Sequence, residues 1–185
     1  MPLIKDGRIV EDSWYKAETA ADLSQAGDLI VPLALWQAER ARLLARNTRL
    51  GVALAAGETP EAIAADLDRL DLVALEFPKF NDGRAYSAAR LLRERHGFAG
   101  ELRATGNVLS DQLAFMLRCG FDAFEAADER LQQRWHEASG RYRAHYQPAG
   151  RSTRTIPALR GRSGPAPAVA RADVEVAGCA GHWAY

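Results

Sequence analysis

Short apolar runs alternate with helical patterns between Leu50 and Glu125, and this alternation is the strongest constraint on the fold. The runs that predict strands begin at Leu50, Leu72, Glu101 and Phe121. Each is followed by a segment with apolar residues at helical spacing. Strands that alternate with helices pair in parallel through right-handed crossovers. The sequence therefore predicts an α/β protein in which four βα units form a parallel sheet flanked by helices.

The pattern leaves two arrangements of that sheet open. The strand segments lack a strict alternation of apolar and polar residues, which is typical of strands covered on both faces. This favours an open three-layer sandwich, with helices on both faces of the sheet. A half-barrel of four βα units is the second choice, since the same local pattern serves either arrangement.

Capping and turn residues mark the predicted helix boundaries. Thr59-Pro60-Glu61 combines a capping residue, a proline for the first helical position and an acid in the first turn. Asp82 is placed to cap the next helix. Gly120 is placed to end a helix that follows Asn107, because glycine readily adopts the left-handed conformation found there.

The chain divides into three regions by composition. Residues 1–48 predict a hairpin over residues 3–10, turning at Asp6-Gly7, and a helix after Pro32, both packed on the body. Residues 49–145 contain the parallel α/β core, including a last helix over roughly 127–144. Residues 146–185 are rich in Pro, Gly and Ala, carry more arginines than acids, and predict a disordered basic tail.

Charge and hydropathy limit the classes of partner. The formal net charge is zero, so no overall field attracts nucleic acid or a membrane surface. No apolar run approaches the ~18 residues of a membrane span, and the N-terminal residues are too charged for a signal peptide. These features predict a cytoplasmic protein that binds neither nucleic acid nor membrane.

No cofactor or metal site is identifiable from motifs. The two cysteines, Cys119 and Cys179, are far apart and lack the spacing of metal ligands. A glycine-rich dinucleotide loop after a strand, a P-loop and a nucleophile elbow are all absent from the sequence. Cys119 lies at the end of a predicted helix, which favours a buried small side chain over a redox-active thiol.

Polar residues gather at the carboxyl ends of the predicted strands, where open parallel sheets bind ligands. The candidates for an anion-binding rim are Lys79, Asp82, Arg84, Tyr86, Arg103, Thr105 and Asn107. The candidates for catalysis are Arg84, Arg103, Asp111 and Glu76. In such a site the two arginines would hold the anion, and Asp111 or Glu76 would accept a proton.

Simpler structural roles compete with these assignments. Asp82 is most simply interpreted as a helix cap, and Lys79 and Arg84 as solvated charges at the rim. Arg103 falls in the middle of a predicted strand, where a buried charge needs a partner. Glu76 and Glu101 are the candidate partners.

The stretch between Phe77 and Asp122 resembles a known bacterial family. The residues that carry the resemblance are Phe77, Phe80, Asp82-Gly83-Arg84, Tyr86-Ser87, Ala89-Arg90, Leu92-Arg93, Gly100–Ala104, Gly106, Val108, Asp111-Gln112 and Arg118–Asp122. They are similar to the signature of domain-of-unknown-function family 934. The resemblance extends over about residues 1–140.

This resemblance implies an association with assimilatory sulfate and sulfite reduction, typically beside the sulfite reductase hemoprotein. Members are often labelled as oxidoreductases, but the resemblance implies no established reaction. We therefore expect an accessory protein that assists sulfite reductase by contacting the hemoprotein or its electron donor. The alternatives are a small-anion-binding enzyme and a flavin- or nicotinamide-dependent oxidoreductase of sulfur metabolism.

Overall fold

The computed structural model describes residues 2–79 and 81–125, together with residues 134, 135 and 137. Eight strands lie within these residues: β1 (Leu3–Lys5), β2 (Arg8–Val10), β3 (Tyr15–Lys16), β4 (Leu29–Pro32), β5 (Leu50–Leu54), β6 (Leu72–Phe77), β7 (Glu101–Gly106) and β8 (Ala123–Glu125). They form a single sheet in the order β2-β1-β8-β7-β6-β5-β4-β3.

The helices fill the connections between the strands. They are α1 (Leu33–Leu44), a 3₁₀ helix (Pro60–Arg69), α2 (Arg84–Arg90) continued by a π-helical turn (Leu91–Arg95), and α3 (Leu113–Cys119). The 3₁₀ helix starts at the predicted Thr59-Pro60 boundary. Gly120 ends α3 in the left-handed conformation with φ of 105°, as the sequence predicts. A further 3₁₀ turn spans Asp22–Ser24.

The strand order decides the architecture. From β3 to β8 every neighbouring pair is parallel and the strands follow chain order. Right-handed crossovers between strands in chain order place all the helices on one face, so the sheet curls with the helices outside. The structure is a mixed α/β half-barrel, the second choice of the sequence analysis. The preferred open three-layer sandwich is wrong.

Two further details of the predicted sheet need correction. The sheet is not purely parallel, because β1 pairs antiparallel with both β2 and β8. The first strand–helix unit also lies earlier than expected, since β4, α1 and β5 already form one. The predicted helix over 127–144 lies outside the described residues, apart from residues 134, 135 and 137.

The two faces of the curled sheet are packed differently. The convex face contributes Val52, Leu75 and Phe124 to a large buried cluster that includes side chains from α1, α2 and α3. The concave face holds a smaller cluster of Ile30, Leu72 and Ala74, which Trp14 and Ala53 contact. Each large apolar side chain buried in this way contributes about 1.5–3 kcal/mol relative to exposure. Small side chains on the concave face leave the inside of the half-barrel partly open.

Residues 1–48 are built into the same sheet as the rest of the chain. The predicted hairpin is present as β1 and β2, with Asp6 and Gly7 at φ of 50° and 77°. Its strand β1 extends the main sheet by pairing with β8. At the opposite edge, β3 pairs with β4, and β4 pairs with β5. The predicted tail, residues 146–185 with Cys179, lies outside the described residues, as does Phe80.

Within the described part of the chain, no helix combines the length and the apolar character required to span a membrane.

Candidate functional site

A cavity of about 440 Å³ opens at the carboxyl ends of the parallel strands, and we call it the mouth. Its polar lining consists of Lys16, Glu58, Glu76, Thr105 and Glu125, and its apolar lining includes Pro32, Ala34, Ala53 and Ala55. A second cavity of about 260 Å³ adjoins it, shares Lys16 and Thr105, and reaches Ile30 and Ala74 on the concave face. Size and position are those of small-molecule sites in α/β proteins.

The register of the strands brings the polar residues of the mouth together. Glu76 of β6 pairs directly with Thr105 of β7. Thr105 follows Ala104, which pairs with Phe124, so Glu125 is next to Thr105 on β8. Lys16 ends β3 at the far edge of the curled sheet, yet its Nζ contacts Glu125 Oε2. This contact across the concave face shows how strongly the sheet curls.

Arg103 lies beneath the mouth and is completely buried. Its Nε donates to Glu101 Oε1 at 2.9 Å, and its Nη1 donates to Asp12 Oδ2 at 2.8 Å and to Glu125 Oε1 at 3.2 Å. Burial alone would lower the pKa of Arg103, but the hydrogen bond to Asp12 and the charge of Glu101 outweigh it and raise the pKa above its ordinary value. The guanidinium therefore remains charged.

Two lysines complete this network. Lys5 Nζ lies 2.6 Å from Glu101 Oε2, and Lys16 Nζ contacts Glu125 Oε2. Three carboxylates thus face three cations, and we call these six residues the Arg103 network: Lys5, Asp12, Lys16, Glu101, Arg103 and Glu125. A buried charge with this many partners meets the need for compensation.

In this network Arg103 has the carboxylate partners that a buried charge was predicted to need. Glu101 is one partner, as expected, because residues two apart in a strand lie on the same face. Glu76, the other candidate, lines the mouth instead. Asp12 and Glu125 were missed, since their contacts depend on the N-terminal loop and on the pairing of β7 with β8.

The remaining predicted site residues are spread over a wider region than one rim. Arg84 lies beside the mouth, because a small cavity of about 20 Å³ is lined by Arg84 together with Gly57, Glu58 and Glu76. Its guanidinium is engaged by Asp82, with Nη2 to Oδ2 at 2.6 Å and Nε to Oδ1 at 3.0 Å. The prediction that Asp82 caps α2 is wrong, because Gly83 occupies the capping position; Asp82 instead accepts the N–H of Arg84 at 3.2 Å.

Tyr86 and its neighbours form a separate aromatic region between α2 and α3. The Tyr86 ring lies 5.1 Å from Phe77 and 4.8 Å from Phe115, and its hydroxyl donates to Gln112 Oε1 at 3.2 Å. Burial raises the pKa of Tyr86 to about 12, with smaller contributions from Cys119 and Asp111. Tyr86 is therefore neutral and donates a hydrogen bond at physiological pH.

Lys79, Asn107 and Asp111 are exposed. The backbone N–H of Asn107 donates to the Phe77 carbonyl oxygen at 2.7 Å. Cys119 is buried, as predicted, and burial raises the pKa of its thiol. Within the described residues, no three His, Cys, Asp or Glu side chains are grouped as metal ligands.

Three of the mouth's charged residues, Lys16, Glu58 and Glu125, were not among the predicted site residues. Lys16 belongs to a strand of only two residues in a segment that reads as polar and turn-rich. Glu58 follows β5 after a turn at Gly57, and its Oε2 accepts the N–H of Ala55 at 2.7 Å. For Glu58, the available signal is its position after a predicted strand; for Lys16, the sequence offers none.

The Arg84–Asp82 pair makes a direct prediction about protonation. The hydrogen bond from the Arg84 side chain is the largest cause that lowers the pKa of Asp82 to about 2. We expect Arg84→Gln to return this pKa most of the way to 3.8, the value from which it is lowered. Because the folded pKa is depressed, the associated stability is present above the unfolded value and is lost as the pH falls through about 2.

Carboxyl ¹³C NMR of Asp82 during a pH titration measures this shift. Arg90→Gln, which removes a different exposed arginine from its pair with Glu94, is the matched control and leaves the pKa of Asp82 unchanged. An unaltered Asp82 pKa in Arg84→Gln would show that the pair does not persist in solution.

A family profile places the chain among known sequences. The profile for a bacterial protein of unknown function (DUF934) matches residues 51–156, more than half of the chain. The chain belongs to the DUF934 family. The match to DUF934 includes Glu58, Glu76, Thr105 and Glu125 of the mouth, whereas Lys16 and Asp12 come from the segment that precedes it. No curated protein matches the chain.

Proposed function

We propose that this DUF934 protein is an accessory protein of assimilatory sulfite reduction and assists sulfite reductase. Membership of the family supports the proposal, because the signature around Asp82-Gly83-Arg84 resembles proteins associated with the sulfite reductase hemoprotein. The family description states no function, so the assignment to sulfite reduction rests on that resemblance. The proposed partners are the hemoprotein or its electron donor.

The mouth is the feature of the molecule that best supports a function. A preformed cavity at the carboxyl ends of parallel strands supports the binding of a small polar molecule as the means by which the protein acts. We therefore favour an accessory protein that binds such a molecule over one that offers only a surface.

The charges in and around the mouth argue against the alternative of a small-anion-binding enzyme. Arg84 is held by Asp82, and Arg103 by Asp12, Glu101 and Glu125. An anion would have to compete with these carboxylates for the two arginines. Glu58 and Glu76 add negative charge to the same cavity. The arrangement is thus better suited to a ligand with a positive group than to sulfite or sulfate alone.

Growth of a deletion strain tests the role in sulfur metabolism. We expect a strain without this protein to grow on sulfide or cysteine and to grow poorly on sulfate or sulfite as the only sulfur source. Sulfide bypasses the reduction of sulfite, so rescue by sulfide assigns the defect to that step. A plasmid with the intact sequence restores growth, and the empty plasmid does not. Normal growth of the deletion strain on all four sources would overturn the proposal.

Affinity capture tests the proposed contact with sulfite reductase. We expect the full chain to retain the hemoprotein or its electron donor from extracts of cells grown on sulfate. Extracts of cells grown on cysteine, supplied with the same amount of tagged chain, serve as the comparison because they contain little of the reductive pathway. Recovery of neither component from sulfate-grown cells would contradict a direct contact.

A further inference from the structure

The charges that line the mouth are unequally compensated. In the Arg103 network, three carboxylates are matched by three cations. Glu58 and Glu76 stand outside that network and line the same cavity. Among the described residues, neither forms an ion pair, although Glu58 accepts a backbone N–H. The wall formed by the ends of β5 and β6 is therefore negative, because Arg84, which lines a small adjoining cavity with both glutamates, is paired with Asp82.

A second wall carries the positive group of the mouth. Lys16 extends from β3, and its side chain remains 55% exposed although Nζ contacts Glu125. An ammonium group has three donors, so this single contact leaves Lys16 able to bind an anionic oxygen in the cavity. Thr105, between Glu76 and Glu125, adds a hydroxyl group to the lining. The cavity thus has a negative wall and a second wall whose charges are balanced but whose ammonium group still has unused donors.

The surface between these walls is small and uncharged. Pro32 and Ala53 line both cavities, and Ala74 lines the deeper one. Short side chains here make room for an uncharged group of the ligand, and they offer it an apolar contact. A compact molecule with an ammonium group, a carboxylate group and a small side chain has the features that these three parts of the mouth require.

We propose that the mouth binds a small neutral α-amino acid as its zwitterion. The ammonium group lies between Glu58 and Glu76, the carboxylate group contacts Lys16, and the side chain rests on Pro32 and Ala53. This inference rests on the proposed binding of a small polar molecule at the mouth, and it names the class of that molecule. Charge-assisted hydrogen bonds at both ends of the ligand supply the specificity.

Isothermal titration calorimetry of the full chain with glycine, L-serine and L-leucine tests the proposal. We expect at least one of the three to bind with a dissociation constant in the millimolar range or below. The matching N-acetyl derivative lacks the ammonium group, and the matching amide lacks the carboxylate group. Each derivative is expected to bind at least about tenfold more weakly than the free amino acid.

Substitutions in the wall locate the site. Glu76 is exposed, so Glu76→Gln preserves the fold while removing charge, and we expect it to weaken binding at least about tenfold. Glu94→Gln, on the outer helical surface and paired with Arg90, is the control and leaves binding unchanged. Lys16→Met is expected to remove the preference for the acid over the amide, whereas Lys16→Arg retains it. Circular dichroism verifies that each variant is folded.

Several outcomes would overturn the inference. They are an absence of binding by all three amino acids up to about 20 mM, binding that Glu76→Gln does not change, and equal binding of the N-acetyl derivative. The growth experiment is independent of this titration. A sulfite-specific growth defect without amino-acid binding would refute only the ligand class, whereas binding without a growth defect would refute only the role in sulfite reduction.

Discussion

Replacement of Arg103 by methionine lowers the free energy of unfolding by about 3–5 kcal/mol. Arg103 is completely buried and is the one cation that contacts Asp12, Glu101 and Glu125 together in the described structure. Methionine fills much of the same space, but it leaves the three carboxylates close to one another without the guanidinium group that compensates their charge. Removing one partner from a buried ion pair is costly because the remaining charge stays desolvated.

The two lysines of the Arg103 network do not replace the lost arginine. Lys5 and Lys16 retain their contacts with Glu101 and Glu125, but their side chains are 42% and 55% exposed to water. Asp12 forms its ion pair with Arg103, so the substitution removes that cation entirely. A loss of this size is a large part of the 5–15 kcal/mol that typically stabilises a domain.

Urea denaturation followed by circular dichroism measures the effect of Arg103→Met. Arg84→Met is the matched control, since it removes the same charged group from the exposed pair with Asp82, and we expect it to cost far less than Arg103→Met because water screens an exposed pair. Arg103→Lys keeps the charge without the planar fork and is expected to fall between the two. If Arg103→Met were as stable as Arg84→Met, the network would not hold the concave face together.

Gly106→Ala lowers the free energy of unfolding by about 2–4 kcal/mol, from backbone strain and a steric clash combined. Gly106 ends β7 with φ of 82°, a conformation that residues with a side chain rarely adopt. A Cβ atom there would lie 2.5 Å from the backbone oxygen of Phe77. That oxygen accepts the N–H of Asn107 at 2.7 Å, so it cannot move away without losing the hydrogen bond.

Gly97→Ala separates the two causes. Gly97 also has a positive φ, of 65°, but a Cβ atom added there meets no other atom within 4 Å. We therefore expect Gly97→Ala to cost about 1–2 kcal/mol, the penalty of the left-handed conformation alone. Denaturation of both variants under the same conditions gives the difference that belongs to the clash. Equal losses would mean that the strands β6 and β7 separate at their ends without a cost.

Local sequence patterns predicted most of the individual elements. The strands beginning at Leu50, Leu72 and Glu101 were expected from their apolar runs, and the turn at Gly120 from the conformational freedom of glycine. The sequence also predicted that Arg103 has a carboxylate partner, since a charge in the middle of a buried strand must be compensated. Glu101 was a candidate because side chains alternate along a strand.

The candidate site was predicted in position more closely than in composition. Ligands were expected at the carboxyl ends of the strands, and the mouth lies there. Glu76 and Thr105 were among the predicted residues that line it. Lys16 was not, because nothing in a polar segment of the N-terminal region indicates a strand of two residues at the far edge of the sheet.

The sequence by itself determined where most of the strands and helices form, because periodicity, caps and turn residues act over a few neighbouring positions. Only the tertiary structure decided how the sheet curls and which charges meet inside it. The same βα pattern suits a sandwich or a half-barrel, and strand order distinguishes them. Lys16 and Glu125 are 109 positions apart and meet because the curled sheet brings β3 opposite β8. Contacts of that kind depend on the whole fold, so no local pattern specifies them.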